Sequence, residues 1–230
     1  MNTQIKVVRY HLMDRSNYLL MPCSVTAFAF LVNLVIHAAV VPSSGSGSQS
    51  GGLIALCAWL FIPGIISVTR TLPFGFALGL SRRTYYKGTI LLMLGLAAAY
   101  GLGVTVLQAV ERVTGGWGVA MHFFQVPWIL DGSWYVTWLT SFVVLALMLV
   151  YGMWFGLVFR RWNVTGLLAF IAAHVTVLLA VALLATWAQA WPEVGSFFVT
   201  LSVLGFAGVL AALTAVLALG GFGTMRRVTV

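Results

Sequence analysis

The sequence predicts an all-α, polytopic membrane protein with six transmembrane helices and with both termini in the cytoplasm. Three observations predict this fold class. The 230-residue chain is 61% apolar and only 7% charged, whereas soluble domains carry about 25% charged residues. Its apolar residues form six long runs, and its basic residues collect between alternate runs. This composition argues against a soluble enzyme, a nucleic-acid-binding module and a disordered segment.

The six runs are predicted to be the transmembrane helices. A helix needs about 20 residues to cross the hydrocarbon core of a bilayer. None of the runs contains Asp, Glu, Lys or Arg, and none alternates with a period of two, which argues against a membrane β-barrel. They are Leu19–Val41, Leu53–Thr69, Thr89–Val110, Val136–Phe159, Val164–Trp187 and Phe198–Phe222. We therefore predict six spans within residues 19–222 and a cytoplasmic tail at 223–230.

The first run follows Lys6, Arg9 and Arg15, as the apolar region of a signal peptide would. It is longer than the roughly 7–15 residues of such a region, and no convincing cleavage site follows it. We expect it to remain as the first transmembrane helix.

The basic residues predict the orientation, because Lys and Arg mark the cytoplasmic side of membrane proteins. With both termini inside, eleven of the twelve basic residues lie on inner segments, and three of the four acidic residues lie outside. Only Arg112 breaks the pattern among the basic residues. The inner cations are Lys6, Arg9, Arg15, Arg70, Arg82, Arg83, Lys87, Arg160, Arg161, Arg226 and Arg227.

Residues 1–18 are predicted to form a helix on the membrane surface. Ile5, Val8 and Leu12 fall on one face at helical spacing, and the neighbouring cations can reach lipid phosphates. The alternative is a plain cytoplasmic leader.

The outer segment Glu111–Tyr135 is rich in Trp, Phe and Tyr. Aromatic residues at this density beside two span ends are typical of an interfacial belt. The alternative is a short interfacial helix or a lid over an exit path. The outer connection between the fifth and sixth spans, Ala188–Phe197, is predicted to be short.

The sequence contains no pattern typical of catalysis, of a metal site or of ATP binding by a P-loop. We therefore expect no catalytic residues, no metal ligands and no cofactor in this chain. The deepest ionisable residue is His174, which a proton-coupled carrier could use, although a hydrogen-bonded packing role is the simpler interpretation. Cys23 and Cys57 are predicted to be buried apolar side chains.

Small residues at four-residue spacing predict close helix packing. Gly152 and Gly156 form one such pair, and Gly95, Ala99 and Gly103 form another set. Packing within the chain and dimerisation are both open. Pro63 is expected to kink the second span.

The inner segment between the second and third spans carries apolar residues among cations. Phe74, Phe76 and Leu78 lie between Arg70 and the Arg82-Arg83 pair. An exposed apolar knob with a basic collar is typical of a surface that meets another protein. A loop that rests on the lipid headgroups is the alternative.

The same segment carries a resemblance to a known family. Its run Leu72-Pro73-Phe74-x-x-Ala77-Leu78-Gly79-Leu80-Ser81-Arg82-Arg83-x-Tyr85-Tyr86-x-Gly88 resembles a stretch of the small bacterial permeases of ABC-2-type exporters. The six predicted spans and the basic N-terminal segment are also similar to that family. The resemblance implies that residues 1–230 form a single transmembrane permease domain with the ABC-2-type exporter fold. It also implies a coupling helix that docks on an ATPase through Phe74, Phe76, Leu78, Arg82 and Arg83.

The resemblance further implies that the chain is the membrane subunit of an ATP-driven exporter in the bacterial cytoplasmic membrane. ATP and Mg would be bound by separate ABC ATPase subunits. The other expected partners are a second permease copy or a related permease, and membrane lipid, with no nucleic acid. The substrate would be apolar or amphipathic, such as a peptide, a drug-like molecule or a lipid. A membrane anchor or assembly subunit without a transport path, and a gated pore, are the alternatives.

Overall fold

The computed structural model describes residues 7–8, 11, 14–40, 48–49, 53–77, 79–126, 129–130 and 132–225. Apart from turns and short connections, this part of the chain is helical, and it contains one short pair of parallel strands, β1 (Ser48–Gln49) and β2 (Met121–His122). A π-helical turn at Ser16–Leu20 leads into the first helix. The helices are α1 (Met21–Val40), α2 (Leu53–Thr69), α3 (Thr71–Ala77), α4 (Arg82–Val113), α5 (Trp134–Trp187), α6 (Trp191–Thr200) and α7 (Val203–Met225).

Within the described residues, five helical segments are long and apolar enough to cross a membrane. The prediction of an all-helical chain with membrane-length helices is therefore confirmed. Helix α2 has the bounds of the predicted second run, and α4 extends the predicted third run at both ends. Apolar helices of this length and number indicate a multi-pass membrane protein.

Helix α5 is two antiparallel halves joined by a reversal at Asn163. Asn163 has φ 54° and ψ −155°, which no α-helix accommodates. The rings of Phe155 and Phe170 are 5.2 Å apart, and those of Tyr151 and His174 are 6.0 Å apart. In a straight helix, residues 155 and 170 would be about 22 Å apart. Residues 134–162 (α5a) and 164–187 (α5b) therefore form a helical hairpin, and the reversal separates the predicted fourth and fifth runs.

The predicted sixth run is wrong at its beginning. Phe198 lies in α6, and the chain breaks at Leu201 and Ser202 before α7 starts. The Ser202 hydroxyl accepts a hydrogen bond from the backbone N–H of Gly205 at 3.0 Å, as an N-cap residue does. The apolar composition continues across this break, so hydropathy alone places the two helices in one run. The connection predicted to be short consequently contains most of α6.

The glycine pair of the fourth run packs within the chain. A Cβ on Gly156 would lie 2.8 Å from the carbonyl oxygen of Ile65, and Gly152 lies against the backbone of Phe61. The earlier glycine meets the earlier residue of α2 and the later glycine meets the later one, so α2 and α5a are parallel. Gly95 and Gly103, in contrast, have open space where a Cβ would be.

The other helices alternate in direction around α5a. The Trp138 indole N–H donates to the carbonyl of Ala98 at 3.3 Å, while the Gln108 amide donates to the carbonyl of Leu130. These contacts make α4 antiparallel to α5a.

Helix α7 is parallel to α5a. The Trp154 indole N–H donates to the carbonyl of Leu217 at 2.8 Å, and Gly221 lies beside Leu157. Helix α1 is parallel to α4, because the Tyr100 hydroxyl donates to the carbonyl of Tyr18 at 2.8 Å and Phe30 meets Trp117, whose rings are 4.8 Å apart.

These directions give the bundle two distinct ends. At the basic end, α2, α5a and α7 finish and α4 begins. At the opposite end, which we name the Glu111 end, α4 finishes and α5a begins. The described cations at the basic end are Arg15, Arg70, Arg82, Arg83, Lys87, Arg160 and Arg161.

Burial is concentrated in α2, α4 and α5a, which contribute fully buried Leu60, Met93, Leu149 and Leu157. Helices α5b and α6 are exposed along nearly their whole length, with Leu178 at 69% and Trp187 at 86% exposure. Apolar surface of this extent is typical of contact with lipid or with another membrane protein.

Candidate docking site at the basic end

The predicted docking segment is helical and follows α2 almost directly. Only Arg70 separates α2 from α3, and its backbone N–H still donates to the carbonyl of Ile66 at 3.1 Å. The Thr71 hydroxyl donates to the carbonyl of Ser67 at 2.7 Å. Helix α3 is therefore mechanically coupled to α2 rather than carried on a loose loop.

A glycine turn closes the corner between α3 and α4. Gly79 has φ +75°, a left-handed conformation that favours glycine. Its N–H donates to the carbonyl of Phe76 at 2.9 Å, and the Leu80 N–H donates to the carbonyl of Gly75 at 3.1 Å. This bond pattern is a Schellman motif, which satisfies the last carbonyls of a helix. The left-handed backbone conformation therefore explains why a glycine, Gly79, occupies this position of the sequence motif.

Helix α4 then begins with a side-chain cap. The Ser81 hydroxyl accepts from the backbone N–H of Thr84 at 3.2 Å, and such a cap is worth about 1 kcal/mol. With the glycine turn immediately before it, the corner between α3 and α4 has few unpaired backbone groups.

Tyr85 joins α2, α3 and α4. Its hydroxyl donates to the carbonyl of Ser67 at 2.6 Å and lies 2.6 Å from the Thr71 hydroxyl oxygen. Its ring packs on Gly75, where a Cβ would lie 2.7 Å from a ring carbon. Tyr85 therefore requires a glycine on α3 and ties that helix to the two spans on either side.

The N-terminal segment adds a buried histidine to this corner. The rings of His11 and Tyr85 are 5.5 Å apart, and His11 is fully buried. The Thr89 hydroxyl donates to the carbonyl of Tyr85 at 3.0 Å, so the Thr89 oxygen accepts from Nε2–H of His11 at 3.2 Å. Nδ1 of His11 then accepts from the Tyr18 hydroxyl at 3.1 Å. Every contact in this chain of hydrogen bonds uses the neutral imidazole.

Burial lowers the pKa of His11 to about 4, and the nearby charge of Asp14 only partly opposes this shift. The imidazole is consequently neutral at physiological pH. Val7 and His11 are buried on one face of the N-terminal segment, and Val8 is half-buried against the core. Of the predicted apolar face, Ile5 and Leu12 lie outside the described residues.

The structure separates the residues predicted to dock a partner. Phe74 is 64% exposed, whereas Phe76 is half-buried with its ring 6.3 Å from that of Tyr85. The guanidinium of Arg82 lies 5.7 Å from the centre of the Phe76 ring, and Arg83 is exposed on a different side. Leu78 lies outside the described residues. The exposed apolar contact on α3 is therefore Phe74, while Phe76 belongs to the packing beneath it.

Positive charge surrounds this corner. Arg15, Arg70 and Lys87 are exposed, and the nearby carboxylate of Asp14 is engaged with Asn17, whose amide donates to it at 2.7 Å. An exposed aromatic ring beside a surplus of cations suits an acidic, partly apolar partner surface.

The Glu111 end contains a second polar site, which the sequence did not predict. The Glu111 side chain is fully buried and accepts from the backbone N–H groups of Phe123 (3.0 Å), Phe124 (2.9 Å) and Gln125 (3.1 Å). It also accepts from the indole N–H of Trp117 at 2.9 Å. A carboxylate that collects four donors organises the whole turn around it.

The predicted aromatic belt is divided accordingly. Phe123 and Phe124 are buried and pack with Phe30, while Trp134 and Tyr135 are exposed. Trp128 lies outside the described residues. The buried pair arises because the backbone turns inward to reach Glu111, and the only sequence signal is an acidic residue at a span end followed by aromatics.

A cavity of about 380 Å³ lies between α1, α4 and this turn. Its lining is apolar and includes Phe30, Leu107, Trp117 and Phe124. Cys23 also lines it and is exposed, and Cys57 is only half-buried, so the prediction that both cysteines are buried is wrong. Small residues of α1 and α4, including Ala27 and Gly103, leave room for the cavity.

His174 makes a local contact. Its Nδ1–H donates to the carbonyl of Phe170 at 2.8 Å, and the side chain is exposed on α5b. Among the described residues, no three His, Cys, Asp or Glu side chains come together as a metal site would require.

Comparison with known proteins finds no matching family model, no similar curated protein and no similar solved structure. The long apolar helices define the class of the chain as a multi-pass helical membrane protein.

Proposed function

We propose that this chain is the membrane subunit of an ATP-driven exporter and that an ABC ATPase docks on the corner between α3 and α4. The observation that carries the proposal is the exposed ring of Phe74 on a helix that is otherwise held tightly against α2 and α4. Apolar anchors of this kind, displayed on a rigid element, supply most of the affinity of protein interfaces.

The proposed topology has six passes, with the basic end in the cytoplasm. The alternating directions of α1, α2, α4, α5a, α5b and α7 support six passes. The cations gathered at the basic end support its cytoplasmic location, since positive loops are retained inside.

The rigidity of the corner supports a role in transmitting motion. A force on α3 passes to α2 through Arg70 and to α4 through Tyr85. Helix α2 in turn packs backbone to backbone on α5a at Gly156. Movement of the ATPases would then shift α2, α4 and α5a together, which is a rigid-body mechanism of alternating access. A second copy of the chain, or a related permease, would complete the path.

The proposed substrate is apolar or amphipathic. The cavity of about 380 Å³ offers aromatic and aliphatic side chains and ends beneath the Glu111 turn. Peptides, drug-like molecules and lipids share the required chemistry. Residues Phe30, Trp117 and Phe124 would contact such a substrate before its release.

The test is co-purification with an ABC ATPase encoded beside this gene, together with the ATPase rate of the complex. We expect Phe74→Ala to reduce capture of the ATPase at least tenfold, because loss of an interface anchor commonly costs 2 kcal/mol or about thirtyfold. The unfolding transition of this variant should change little, since most of the Phe74 side chain is exposed. Arg82→Ala with Arg83→Ala should have a smaller effect that diminishes at high salt.

Two matched variants sharpen the result. Phe28→Ala removes an equally exposed phenylalanine from α1 and should leave capture intact. Phe76→Ala should lower both stability and capture, since Phe76 supports Tyr85. Full capture by Phe74→Ala, or a gene with no ATPase reading frame beside it, would instead favour a membrane anchor or assembly subunit.

A further inference from the structure

A groove of about 450 Å³ lies at the basic end between the beginning of α4 and the end of α7. It is separate from the corner between α3 and α4. Its apolar lining comes from both helices: Ile90, Leu91 and Leu94 of α4, and Ala218, Leu219 and Phe222 of α7.

The groove is preformed by Tyr86. The Tyr86 hydroxyl donates to the carbonyl of Ala218, and its ring packs against Phe222 with ring centres 5.5 Å apart. Gly221 permits this approach, because a Cβ there would lie 2.8 Å from the hydroxyl oxygen. These contacts hold α4 and α7 at a fixed spacing with the apolar surface open between them.

Two cations stand at the mouth of the groove. Arg83 and Lys87 are four residues apart on α4 and therefore share a face of the helix. Both side chains are exposed, and within the described part of the chain neither of them makes a hydrogen bond or an ion pair. Arg82, one residue earlier, instead lies over the ring of Phe76. The side chains of these adjacent arginines therefore extend to different sides of α4.

Together, the apolar groove and the two cations at its mouth suit a ligand that has both a hydrocarbon chain and a negative charge. The groove presents a hydrocarbon surface along the spans, and the cations lie where α4 begins, at the level of the lipid headgroups. Lys and Arg at that level attract anionic lipids by about 1 kcal/mol each. A soluble anion would use the cations alone, and a neutral lipid would use the groove alone.

We propose that this groove binds one anionic phospholipid, with an acyl chain between α4 and α7 and the phosphate between Arg83 and Lys87. The occupant comes from the leaflet at the basic end. The inference does not depend on the ATPase, because it concerns the chain by itself in a membrane. A bound lipid would add to the Tyr86 contacts that already join α4 and α7 at this end.

The experiment is a lipid titration of the purified, delipidated chain, followed by native mass spectrometry. The probes are phosphatidylglycerol, phosphatidylcholine and glycerol 3-phosphate. We expect tight binding of one phosphatidylglycerol, at least tenfold weaker binding of phosphatidylcholine, and no binding of glycerol 3-phosphate in the same range. Arg83→Ala with Lys87→Ala should abolish the preference for phosphatidylglycerol.

Two further variants keep the test decisive. Arg83→Lys with Lys87→Arg preserves both charges and should preserve the preference. Arg70→Ala with Arg161→Ala removes two exposed cations outside the groove and should also preserve it. Equal binding of the two phospholipids would overturn the proposal. So would an equal loss of the preference for phosphatidylglycerol in the Arg83 and Lys87 alanine variant and in the Arg70 and Arg161 alanine variant. Binding of glycerol 3-phosphate as tight as that of phosphatidylglycerol would make this a site for soluble anions.

Discussion

The two ends of the bundle are both organised by buried polar groups, but the groups differ in charge. At the basic end, His11, Tyr18, Tyr85 and Thr89 form a neutral chain of hydrogen bonds between the N-terminal segment and the helices. At the Glu111 end, one carboxylate accepts three backbone N–H bonds and an indole N–H bond.

This difference decides how each end can be disturbed. Hydrogen bonds to an ionised acceptor are about twice as strong as neutral ones, and a buried donor left without an acceptor costs free energy. The Glu111 turn should therefore be the more rigid of the two ends. The neutral network at the basic end can be altered by pH or by removal of a single hydroxyl group.

The largest effect is expected at Glu111. Glu111→Ala removes the acceptor of four donors, of which the N–H groups of Phe123 and Phe124 are buried, and we expect the free energy of unfolding to fall by about 3 kcal/mol. Glu111→Gln keeps one acceptor oxygen and should cost less. The measurement is the unfolding transition in detergent followed by tryptophan fluorescence.

Glu193→Gln is the matched control, because Glu193 is exposed in the first turn of α6. It should change the free energy of unfolding by less than about 0.5 kcal/mol. Similar losses at Glu111 and Glu193 would show that the turn is not held by the Glu111 carboxylate.

A smaller effect is expected from pH at the basic end. The pKa of His11 is about 4 in the folded chain and 6.5 as its ordinary value, so the unfolded chain binds the proton more tightly between these values. Stability should be complete above pH 6.5, should decline as the pH falls towards 4, and should level off below it. At pH 5 the expected loss is about 2 kcal/mol.

The variant His11→Gln isolates this contribution, because glutamine does not titrate. The difference between the two proteins in unfolding free energy should shrink as the pH falls from 7 to 5. Parallel pH profiles for the two proteins would mean that His11 is not held neutral by burial.

The smallest effect is expected from one hydroxyl group. Tyr85→Phe keeps the ring on Gly75 but removes the hydrogen bond to Ser67 and the contact with Thr71. We expect a loss of about 1 kcal/mol and faster amide hydrogen exchange in α3. Tyr135→Phe, at an exposed tyrosine, should change neither quantity. Unchanged exchange in α3 after Tyr85→Phe would contradict the coupling between α3 and the spans.

Much of the helical organisation could be predicted from the sequence because membrane helices are long and uniformly apolar. The bounds of α2 agree with its predicted run, and the charged residues around Asn163 correctly separate α5a from α5b. The break at Leu201 and Ser202 was missed because both of its sides are apolar. Apolar composition indicates whether a segment lies in an apolar environment, but it does not indicate where the backbone breaks within an apolar stretch.

The candidate docking segment was found because apolar residues among cations are conspicuous in a sequence. The different exposures of Phe74 and Phe76 were not predictable, since both residues occupy the same kind of position in the pattern. Their difference depends on Tyr85, which contacts Phe76 from the next helix. The Glu111 site was missed for a related reason, because its backbone donors lie 12 to 14 residues further along the chain.

By itself, the sequence determined that this chain is an apolar, helical membrane protein with a cation-rich set of connecting segments. Hydropathy and charge are sums over neighbouring residues, and they decide which segments leave water. Tertiary structure alone decided which side of each helix is buried. It also decided how Tyr85 and His11 link the elements at the basic end, and how Glu111 accepts hydrogen bonds from the turn at the opposite end. Those outcomes depend on contacts between residues distant in the chain, whose geometry exists only once the helices have packed.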